Sequence, residues 1–552
     1  MVDNKLLTLW NCFSSGNIRM EEVSETLQIS QKQTTRLLKK WEKEGWLTYS
    51  PGRGRGKVSS IVWKTNIEEH YEEKTMDLIK TEPVEKSSKY LMFSWSAESK
   101  RRLMNQFQKK LGYVQESKDK LIVPRRYSFF AIEPLEATDA HSAHLIANVF
   151  NCLVSITPEG KILPEIAHSW EVSFEKHRFY LKKDIRFHDG SILSADEIVN
   201  SLERVRAHRH YKDLWSPIEQ IVAKTPLVVD IYHPSGCSYL LPLLSTMNAS
   251  IYKKNKGRLI GTGCFSIEEN SESITTLIAF TEHFMERPLL DSIEFVKVPD
   301  DFKTIYHTSI EQLDEEEIFQ VKSDSDFGVV IMNLCRDSII QKEEVRNYLH
   351  YLIAKNRDTL PMYDPRVLPN HQSCLIGQGN HYTIQEVEPV AFDQPIVIRG
   401  TNYTASTTQW LKEMLENEGV PVEVVWFSFE ESVTNHPKHQ EVDLFIHGEI
   451  FEINQNFSFY YFLKNGFSPL FSIIQGDEKI RSQIDQYQLT PFKEWATLNK
   501  KVETELINRS VMIPLYYAKR YAPFSKDIKN IKIKHFGYAD FSKLWVRPTI
   551  DS

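Results

Sequence analysis

The chain has 552 residues, of which 41% are hydrophobic and 26% charged, an ordinary composition for globular protein and long enough for several domains. Its six cysteines form no CxxC or CxxxC pair, which excludes a disulfide scaffold and favours scattered reduced thiols. No apolar run approaches the ~18–20 residues that cross a bilayer, and the N-terminus lacks the features of an export signal. We therefore expect a cytoplasmic protein with no membrane partner.

The charge is unevenly distributed along the chain. The first 65 residues hold 11 Lys and Arg against six Asp and Glu, a net charge of +5, whereas the whole chain carries −7 and residues 66–552 therefore carry −12. A small basic module joined to a large acidic body predicts that the module binds a polyanion, because the body would be repelled by phosphates.

Three helix patterns followed by two strand patterns fill residues 1–65. Apolar residues at helical spacing predict helices over 3–13, 20–28 and 31–44, and two β-type runs follow. The runs cover Trp46–Tyr49 and Val58–Trp63, and a loop of alternating Gly and basic residues joins them. This order predicts an α+β winged helix-turn-helix, whose third helix enters the major groove of DNA and whose loop forms the wing.

The outer face of the third helix and the wing would carry the contacts to double-stranded DNA. Gln31, Gln33 and Arg36 are expected to reach base edges, with Thr35 on the same face. A merely solvated amphipathic helix is the alternative, and the basic hairpin that follows it argues against that reading. Phosphate contacts, or entry of an Arg into the minor groove, are expected from Lys32, Lys39, Lys40, Arg53, Arg55 and Lys57.

Residues 66–120 are rich in charge and poor in glycine. Amphipathic patterns predict helices over 67–80 and 97–111, with a break at Thr81-Glu82-Pro83. We interpret this region as a helical linker. It can pack on either neighbour or pair two protomers as a homodimer, and the sequence leaves these alternatives open.

Strands alternate with helices from about Leu121 onward, which is typical of an α/β architecture. The segment IAHSW at 166–170 is followed by RFYLKKDIRFHDGSILSADEIVNSLERV at 178–205, and GTGCF stands at 261–265. These motifs resemble the extracellular solute-binding proteins of family 5, the peptide- and nickel-binding class. The resemblance implies a two-lobed, periplasmic-binding-protein-like (type II) domain over residues 121–552, whose lobes close over a small solute.

The motif residues themselves are expected to be structural. His188-Asp189-Gly190 is interpreted as a tight turn and not as an acid/base pair, and Asp196 as an acidic residue at the start of the helix 197–206. Gly261 and Gly263 would allow two chain segments to cross closely. Three tryptophans are expected in the core and not in a pocket wall: Trp215, Trp410 and Trp426.

Two segments supply candidate solute-binding residues. A strand, helix, strand pattern begins at Pro395, and ligands bind beyond the carboxyl ends of strands, so Thr401, Asn402 and Tyr403 are candidates. Glu452 falls where the resemblance places an aspartate that anchors a ligand amine, although the surrounding motif differs here. We expect Glu452 to hold a cationic or hydroxylated ligand, with a surface carboxylate as the alternative. The solute itself is unidentified, a sugar phosphate or a peptide-like molecule.

Enzyme and metal signatures are missing from the sequence. It has no nucleophile elbow, P-loop, HExxH or EF-hand loop. The histidine pairs 141/144 and 436/439 lack a third ligand at metal-like spacing. We therefore expect no enzyme activity, no cofactor and no metal.

The order of the parts carries the functional interpretation. A DNA-binding module comes first and a solute-binding body second. Together with GWLT at 45–48 and GRGRGK at 52–57, this resembles the SgrR family of bacterial transcriptional regulators, associated with sugar-phosphate stress. The resemblance implies a multidomain, cytoplasmic, ligand-responsive DNA-binding protein that activates or represses nearby genes. The alternative is the binding protein of an ABC importer with a non-typical N-terminus.

Overall fold

The structure is a computed structural model. It describes residues 2–52, 58–115, 118–302, 318–323, 326–377, 386–434, 437–518, 520–525, 528–532 and 538–546.

A small head forms the N-terminus. Its elements are α1 (Asn4–Cys12), β1 (Gly16–Ile18), α2 (Met20–Thr26), α3 (Gln31–Lys43), β2 (Leu47–Ser50) and β3 (Ser59–Trp63). The strands form an antiparallel sheet in the order β1-β3-β2. The three predicted helices and the two predicted strands are confirmed. β1 was missed because three residues are too short to show a period of two.

Three helices follow the head: α4 (Ile67–Thr81), α5 (Val84–Leu91) and α6 (Ala97–Gln108). Asn66 caps α4 and Ser96 caps α6, each by accepting a backbone N–H from the first turn. The two helices predicted here are confirmed, and α5 lies between them. The α4 pattern ends before Pro83, which is the N-cap residue of α5, since proline is tolerated at a helix start but not inside a helix.

The core of the head continues through these helices into the body. Leu38 and Trp41 of α3 belong to the same buried apolar cluster as Ile79 and Phe107 of the connecting helices. The cluster also includes five buried residues of the body: Ile122, Ile274, Val296, Val298 and Phe302. The helical region therefore packs against both neighbours. The domain limits 1–65, 66–120 and 121–552 remain predictions.

The first part of the body is built on a five-stranded sheet in the order β14-β15-β16-β5-β4, and we call it lobe I. Within it β5 and β16 are parallel. A second, four-stranded antiparallel sheet has the order β10-β11-β9-β8. The elements in chain order are β4 (Gly112–Gln115), β5 (Asp119–Arg125), α7 (Ala140–Val149), β6 (Val154–Ile156), β7 (Ile162–Pro164), β8 (Ala167–Val172), β9 (Lys176–Leu181), α8 (Ala195–Ala207), β10 (Gln220–Thr225), β11 (Val228–Tyr232), α9 (Leu240–Leu243), β12 (Lys253–Asn255), β13 (Arg258–Ile260), β14 (Phe265–Asn270), β15 (Ile274–Ala279) and β16 (Ser292–Lys297).

The second part is built on a six-stranded mixed sheet in the order β19-β23-β18-β22-β20-β21, and we call it lobe II. The strands β20, β21 and β22 run parallel to one another. The elements are β17 (Ile318–Ser323), β18 (Asp326–Met332), α10 (Glu343–Asn356), β19 (Val367–Pro369), β20 (Ile396–Thr401), α11 (Ala405–Asn417), β21 (Val422–Phe427), α12 (Phe429–Val433), β22 (Leu444–Ile450), α13 (Gln455–Lys464), α14 (Pro469–Gln475), α15 (Glu478–Asp485), α16 (Trp495–Asn508), β23 (Met512–Ala518) and β24 (Arg520–Ser525). Two short strands follow, β25 (Ile528–Lys529) and β26 (Trp545–Val546), and they pack on the apolar cluster of lobe I.

The HDG and GTG motifs meet in lobe I. His188 donates through its backbone N–H to Gly261 O (2.9 Å) and through Nε2 to Gly263 O (3.0 Å). Gly190 has φ +81°, which suits the predicted turn. Burial lowers the pKa of His188 to about 4, so this histidine is a neutral structural donor at physiological pH. The structural interpretation of both motifs is confirmed.

Two of the three tryptophans expected in the core are buried there, Trp215 and Trp410. Trp426 is 51% exposed, so that prediction was wrong. It lies on β21, which forms an edge of the six-stranded sheet. Among the described residues, none of the helices combines the length and the apolar character that a bilayer crossing requires.

Candidate functional site

Helix α3 is anchored to the head so that its outer face stays free. Ser30 caps the helix through a capping box with Gln33. Leu38 and Trp41 are fully buried on the inner face, and Trp41 Nε1 donates to Asp3 Oδ2 at 3.1 Å. These contacts fix the rotation of the helix about its axis, which decides which side chains face solvent.

Four exposed cations form a row on the face opposite the core. They are Lys32, Arg36, Lys39 and Lys43, and we call them the basic stripe. Their spacing of four, three and four residues places them on one side of the helix. Each is exposed, and none of them has an ion-pair partner within 4.0 Å in the part of the chain that the structure describes. Unpaired cations on a rigid helix are suited to phosphate contacts.

Several other predicted DNA contacts already have partners inside the head. Gln31 Nε2 donates to Glu21 (3.1 Å), and Gln33 Oε1 accepts from the backbone N–H of Ser30 (3.1 Å). Thr35 Oγ1 donates to the carbonyl of Gln31 (2.9 Å). All three remain partly or fully exposed, and their role in base recognition stays a prediction.

Lys40 differs from the basic stripe. Its Nζ lies 3.7 Å from carboxylate oxygens of both Asp3 and Glu44. A phosphate would compete with two carboxylates for this amine, so Lys40 has less to gain from DNA than its neighbours have. The wing residues Arg53, Arg55 and Lys57 lie outside the described residues, and their contacts remain a prediction.

A cavity of about 880 Å³ lies between the two lobes. Lobe I contributes the carboxyl end of β5 and the start of α7, and lobe II contributes the carboxyl ends of β20 and β22. Parallel strands end at this edge in both lobes, which is where open α/β sheets bind ligands. Many of its wall residues are aromatic, among them Phe129, Phe327, Phe451, Tyr461 and Phe462.

Three of the four predicted solute-binding residues line this cavity: Thr401, Tyr403 and Glu452. Thr401 is buried and caps the following turn through Thr404, whereas Tyr403 is 54% exposed. Asn402 is exposed and is not among the described residues that line the cavity. The reason is the short 3₁₀ turn at Asn402–Thr404, which turns successive side chains in different directions.

Arg399 also lines the cavity and was not predicted. It lies on β20 on the same face as Thr401 and is only 3% exposed. Its guanidinium donates to Ser432 O (3.3 Å) and Ile446 O (3.1 Å), while Nε has no partner among the described residues. Burial lowers its pKa to about 10. A sequence signal existed, because an arginine inside an otherwise apolar buried strand is unusual.

No described carboxylate pairs with this guanidinium within 4.0 Å. A buried cation that meets only carbonyl oxygens and one aromatic ring, that of Phe445 at 5.0 Å, has lost hydration without gaining a counter-charge. An anionic group in the cavity would supply that charge.

A chain of aromatic rings joins the two lobes beside the cavity. The ring of Tyr127 lies 5.6 Å from that of Tyr403, which lies 5.2 Å from Phe429, which lies 5.2 Å from Phe130. Tyr127 and Phe130 belong to lobe I and the other two to lobe II. The lobes therefore touch across the cavity through apolar and aromatic contacts.

The histidines tested as metal ligands have structural partners. His141 stacks on Phe129 (4.5 Å), and His144 stacks on Tyr538 (4.6 Å) and donates through Nε2 to Ala539 O (2.9 Å). His436 lies outside the described residues. Within the ranges given for the structure, no group of three His, Cys, Asp or Glu could hold a metal ion.

Comparison with known proteins supports both parts of the chain. Residues 3–117 match the family described as "Sugar transport-related sRNA regulator N-term", and residues 161–347 match "Bacterial extracellular solute-binding proteins, family 5 Middle". The "HTH-type transcriptional regulator SgrR" of Yersinia enterocolitica is 21% identical over 568 residues, covering 99% of each chain. The predicted resemblance to SgrR-type regulators is confirmed.

Solved structures show the fold of the body. The periplasmic binding protein DppA from Helicobacter pylori, solved with the peptide STSA, has a TM-score of 0.62 at 16% identity, over 77% of this chain and 98% of its own. A dipeptide binding protein from Pseudoalteromonas sp. SM9913, solved with Met-Leu, has a TM-score of 0.63 at 15% identity, over 78% of this chain and 100% of its own. The predicted periplasmic-binding-protein-like architecture is confirmed, and the similar proteins are regulators and solute-binding proteins, not enzymes.

Proposed function

Because the chain resembles SgrR-type regulators from end to end, we propose that it is a DNA-binding transcriptional regulator controlled by a small solute between its lobes. The observation that carries this is the presence, in one polypeptide, of a rigid basic helix and a cavity of about 880 Å³. The importer alternative is not favoured, since the regulator match includes the first 65 residues, which that alternative leaves without a role.

DNA binding would depend on the head alone. The basic stripe supplies cations that release counterions from the DNA backbone, and helix α3 has the dimensions to enter a major groove. The remaining chain carries −12 and would be repelled by phosphates. This repulsion orients the protein with its head toward DNA.

The solute would carry an anionic group. Arg399 is a buried cation without a described counter-charge, and binding an anion there would offset the cost of its burial. Sugar phosphates and peptide-like molecules both satisfy this requirement, through a phosphate or a carboxylate. The aromatic wall would cover the less polar part of the solute.

We further propose that solute binding closes the lobes and changes the affinity of the head for DNA. Couplings of this kind are typically about 1–3 kcal/mol, so the solute would shift DNA affinity by roughly five- to hundredfold. The most direct test selects genomic or random duplexes with the full chain, with and without cell-extract metabolites. Failure to bind any duplex in dilute buffer contradicts the proposed function, and an affinity that no bound metabolite changes contradicts the coupling.

Replacing Arg399 by Met is expected to separate solute binding from stability. The variant removes the buried charge at similar volume, so we expect the midpoint of thermal unfolding to stay unchanged or to rise. Binding of glucose 6-phosphate or of a dipeptide mixture, whichever the wild type takes, should be lost. Calorimetry measures both quantities. A fall in the unfolding midpoint together with unchanged solute affinity would show that Arg399 is structural.

Replacing Arg53 or Arg55 by Ala is expected to weaken binding to every duplex alike. Each lost phosphate contact should reduce the slope of log affinity against log salt by about one unit. Binding titrations at several salt concentrations measure this slope. An unchanged slope would mean that the wing does not touch the DNA backbone.

A regulator of this kind would work in the cytoplasm, where the chromosome lies, and two copies could bind one operator as a homodimer. Cell fractionation tests the location, and a secreted or lipid-anchored product would contradict it. Sedimentation of the purified chain with and without operator DNA tests the dimer.

A further inference from the structure

A short segment of the body, residues 298–302, lies between the cavity and the head. It follows β16 directly, and Val298 N–H donates to Arg125 O at 2.9 Å, which extends the pairing of β5 and β16 by one residue. The segment therefore begins at the carboxyl edge of the parallel strands of lobe I, the edge that forms the cavity wall. We call it the 298–302 segment.

On the cavity side the segment is held by Arg126. This arginine lines the cavity, is exposed, and donates to Phe302 O from Nε (3.3 Å) and Nη2 (2.8 Å). Its Nη1 has no hydrogen bond to any described residue, so this donor nitrogen, which carries two N–H groups, is available to a solute. The neighbouring Arg125 is different, because it is buried and donates to carbonyls of lobe I at Tyr127, Ser271 and Glu272.

On the other side the segment is part of the head's core. Phe302 is 2% exposed, and its ring meets that of Phe107 on α6 edge-on, at 6.0 Å between centroids. Asp301 forms an ion pair with Lys100 of α6 at 2.8 Å. Phe107 lies in the same apolar cluster as Trp41 of α3. Arg126 therefore binds the carbonyl of Phe302, and the ring of the same Phe302 packs into the apolar cluster that supports α3.

The segment also has space beside it. A hollow of about 330 Å³ lies between the end of α5 and the segment, lined by Leu91, Met92, Phe93, Lys100, Pro299, Asp300 and Asp301. A segment that is close-packed on all sides cannot move without overlapping its neighbours. A segment beside a hollow can shift by a small distance without such overlap. A change at Phe302 can therefore be accommodated locally.

We propose that Arg126 couples occupancy of the cavity to the head: an anionic group of the solute binds the free donor of its guanidinium and thereby fixes the Phe302 carbonyl and the 298–302 segment against α6. Arg126 is a positioning residue in this scheme, acting on DNA through Phe302 and Phe107. The consequence for DNA rests on the proposed function, but the mechanical link from Arg126 to α6 does not. A solute shifts such an equilibrium only if it binds the two arrangements unequally, and here it would bind better when Nε and Nη2 hold the guanidinium on the Phe302 carbonyl and Nη1 is left to the solute.

The test uses hydrogen–deuterium exchange of the full chain without any solute. Arg126→Ala removes both bonds to Phe302 and is expected to speed exchange in the 298–302 segment and in α6 by about threefold or more, because local opening becomes easier. Arg126→Lys, which keeps the charge and loses the forked donors, should give an intermediate effect. The matched control is Arg287→Ala, an exposed arginine of lobe I whose described ion pair is with Asp291 at the surface.

The same variants are then titrated with operator DNA, with inorganic phosphate, glucose 6-phosphate and a dipeptide mixture as probes. Arg126→Ala should change the DNA dissociation constant severalfold without any probe and should remove the response to the probe that the wild type shows. Phe107→Leu should abolish the effect of Arg126→Ala on DNA, since the two act in series.

Exchange in α6 that is unaltered by Arg126→Ala would overturn the inference, whether or not the protein binds DNA. Faster exchange in α6 with an unchanged DNA dissociation constant would overturn the assignment of this contact to DNA control. A wild-type chain that binds no duplex would instead overturn the proposed function, and the exchange result would still decide the link.

Discussion

Reversing the charge of the basic stripe should abolish DNA binding while the head stays folded. The triple variant Lys32→Glu, Arg36→Glu, Lys39→Glu changes three exposed side chains on the face of α3 opposite its core. Each reversal replaces attraction to a phosphate by repulsion, so we expect affinity to fall by on the order of a thousandfold and the salt slope to fall by about three units. Far-ultraviolet circular dichroism should be unchanged, because all three side chains are exposed while Leu38 and Trp41 hold the helix from its buried face.

The control must change the net charge equally without touching α3. Lys74→Glu, Lys86→Glu, Arg101→Glu does so on three exposed residues of the connecting helices. Fluorescence anisotropy with a selected duplex compares the two triple variants. Equal losses of affinity would show that the whole surface charge matters and not the stripe, and that result would contradict α3 as the DNA-facing helix.

Gly263→Ala should destabilise lobe I severely. A Cβ at this position would lie 2.4 Å from Val149 C and 2.6 Å from Asn148 O, both of which are backbone atoms. Backbone held by α7 and by the sheet cannot give way as a flexible side chain can, so we expect a loss of about 4 kcal/mol or more. The displaced segment would also lose the bond from His188 to the Gly263 carbonyl.

A glycine at an uncrowded position is the control. The nearest atom to a Cβ on Gly476 would be Ile473 O at 3.5 Å, and its backbone has an ordinary negative φ of −79°. Gly476→Ala should therefore change stability by about 1 kcal/mol or less, in either direction. Urea unfolding followed by tryptophan fluorescence measures both variants. Similar midpoints for the two would contradict the close crossing of the GTG segment and the end of α7.

Local patterns predicted the parts of this protein whose structure depends on near neighbours in the chain. Helix α3 follows from Ser30 and from apolar residues repeated at helical spacing, and its basic outer face follows from the same period. The turn at Gly190 could be predicted because its positive φ favours glycine over other residues. The close approach at Gly261 and Gly263 could be predicted because a residue without a Cβ lets two backbone segments cross closely. The cavity position of Thr401 and Tyr403 follows from the rule for strand ends.

Local sequence patterns could not predict contacts between distant parts of the chain. Asn402 follows Thr401 directly and yet misses the cavity, since one short turn decides which way its side chain points. Lys40 is as basic as Lys39, but only the folded head brings Asp3 near it. Arg399 became notable once its burial was known and no carboxylate was found beside it.

The sequence by itself determined the order of the parts, the sign of the charge on each, and the faces that their helices bury, because these depend on period and composition. Only the tertiary structure decided that the head, the connecting helices and lobe I share one apolar core, and that a cavity between the lobes reaches this core through Arg126 and Phe302. The physical reason is that burial and hydrogen bonding are properties of chain segments brought together from far apart, as Arg126 and Phe302 are across 176 positions of the chain.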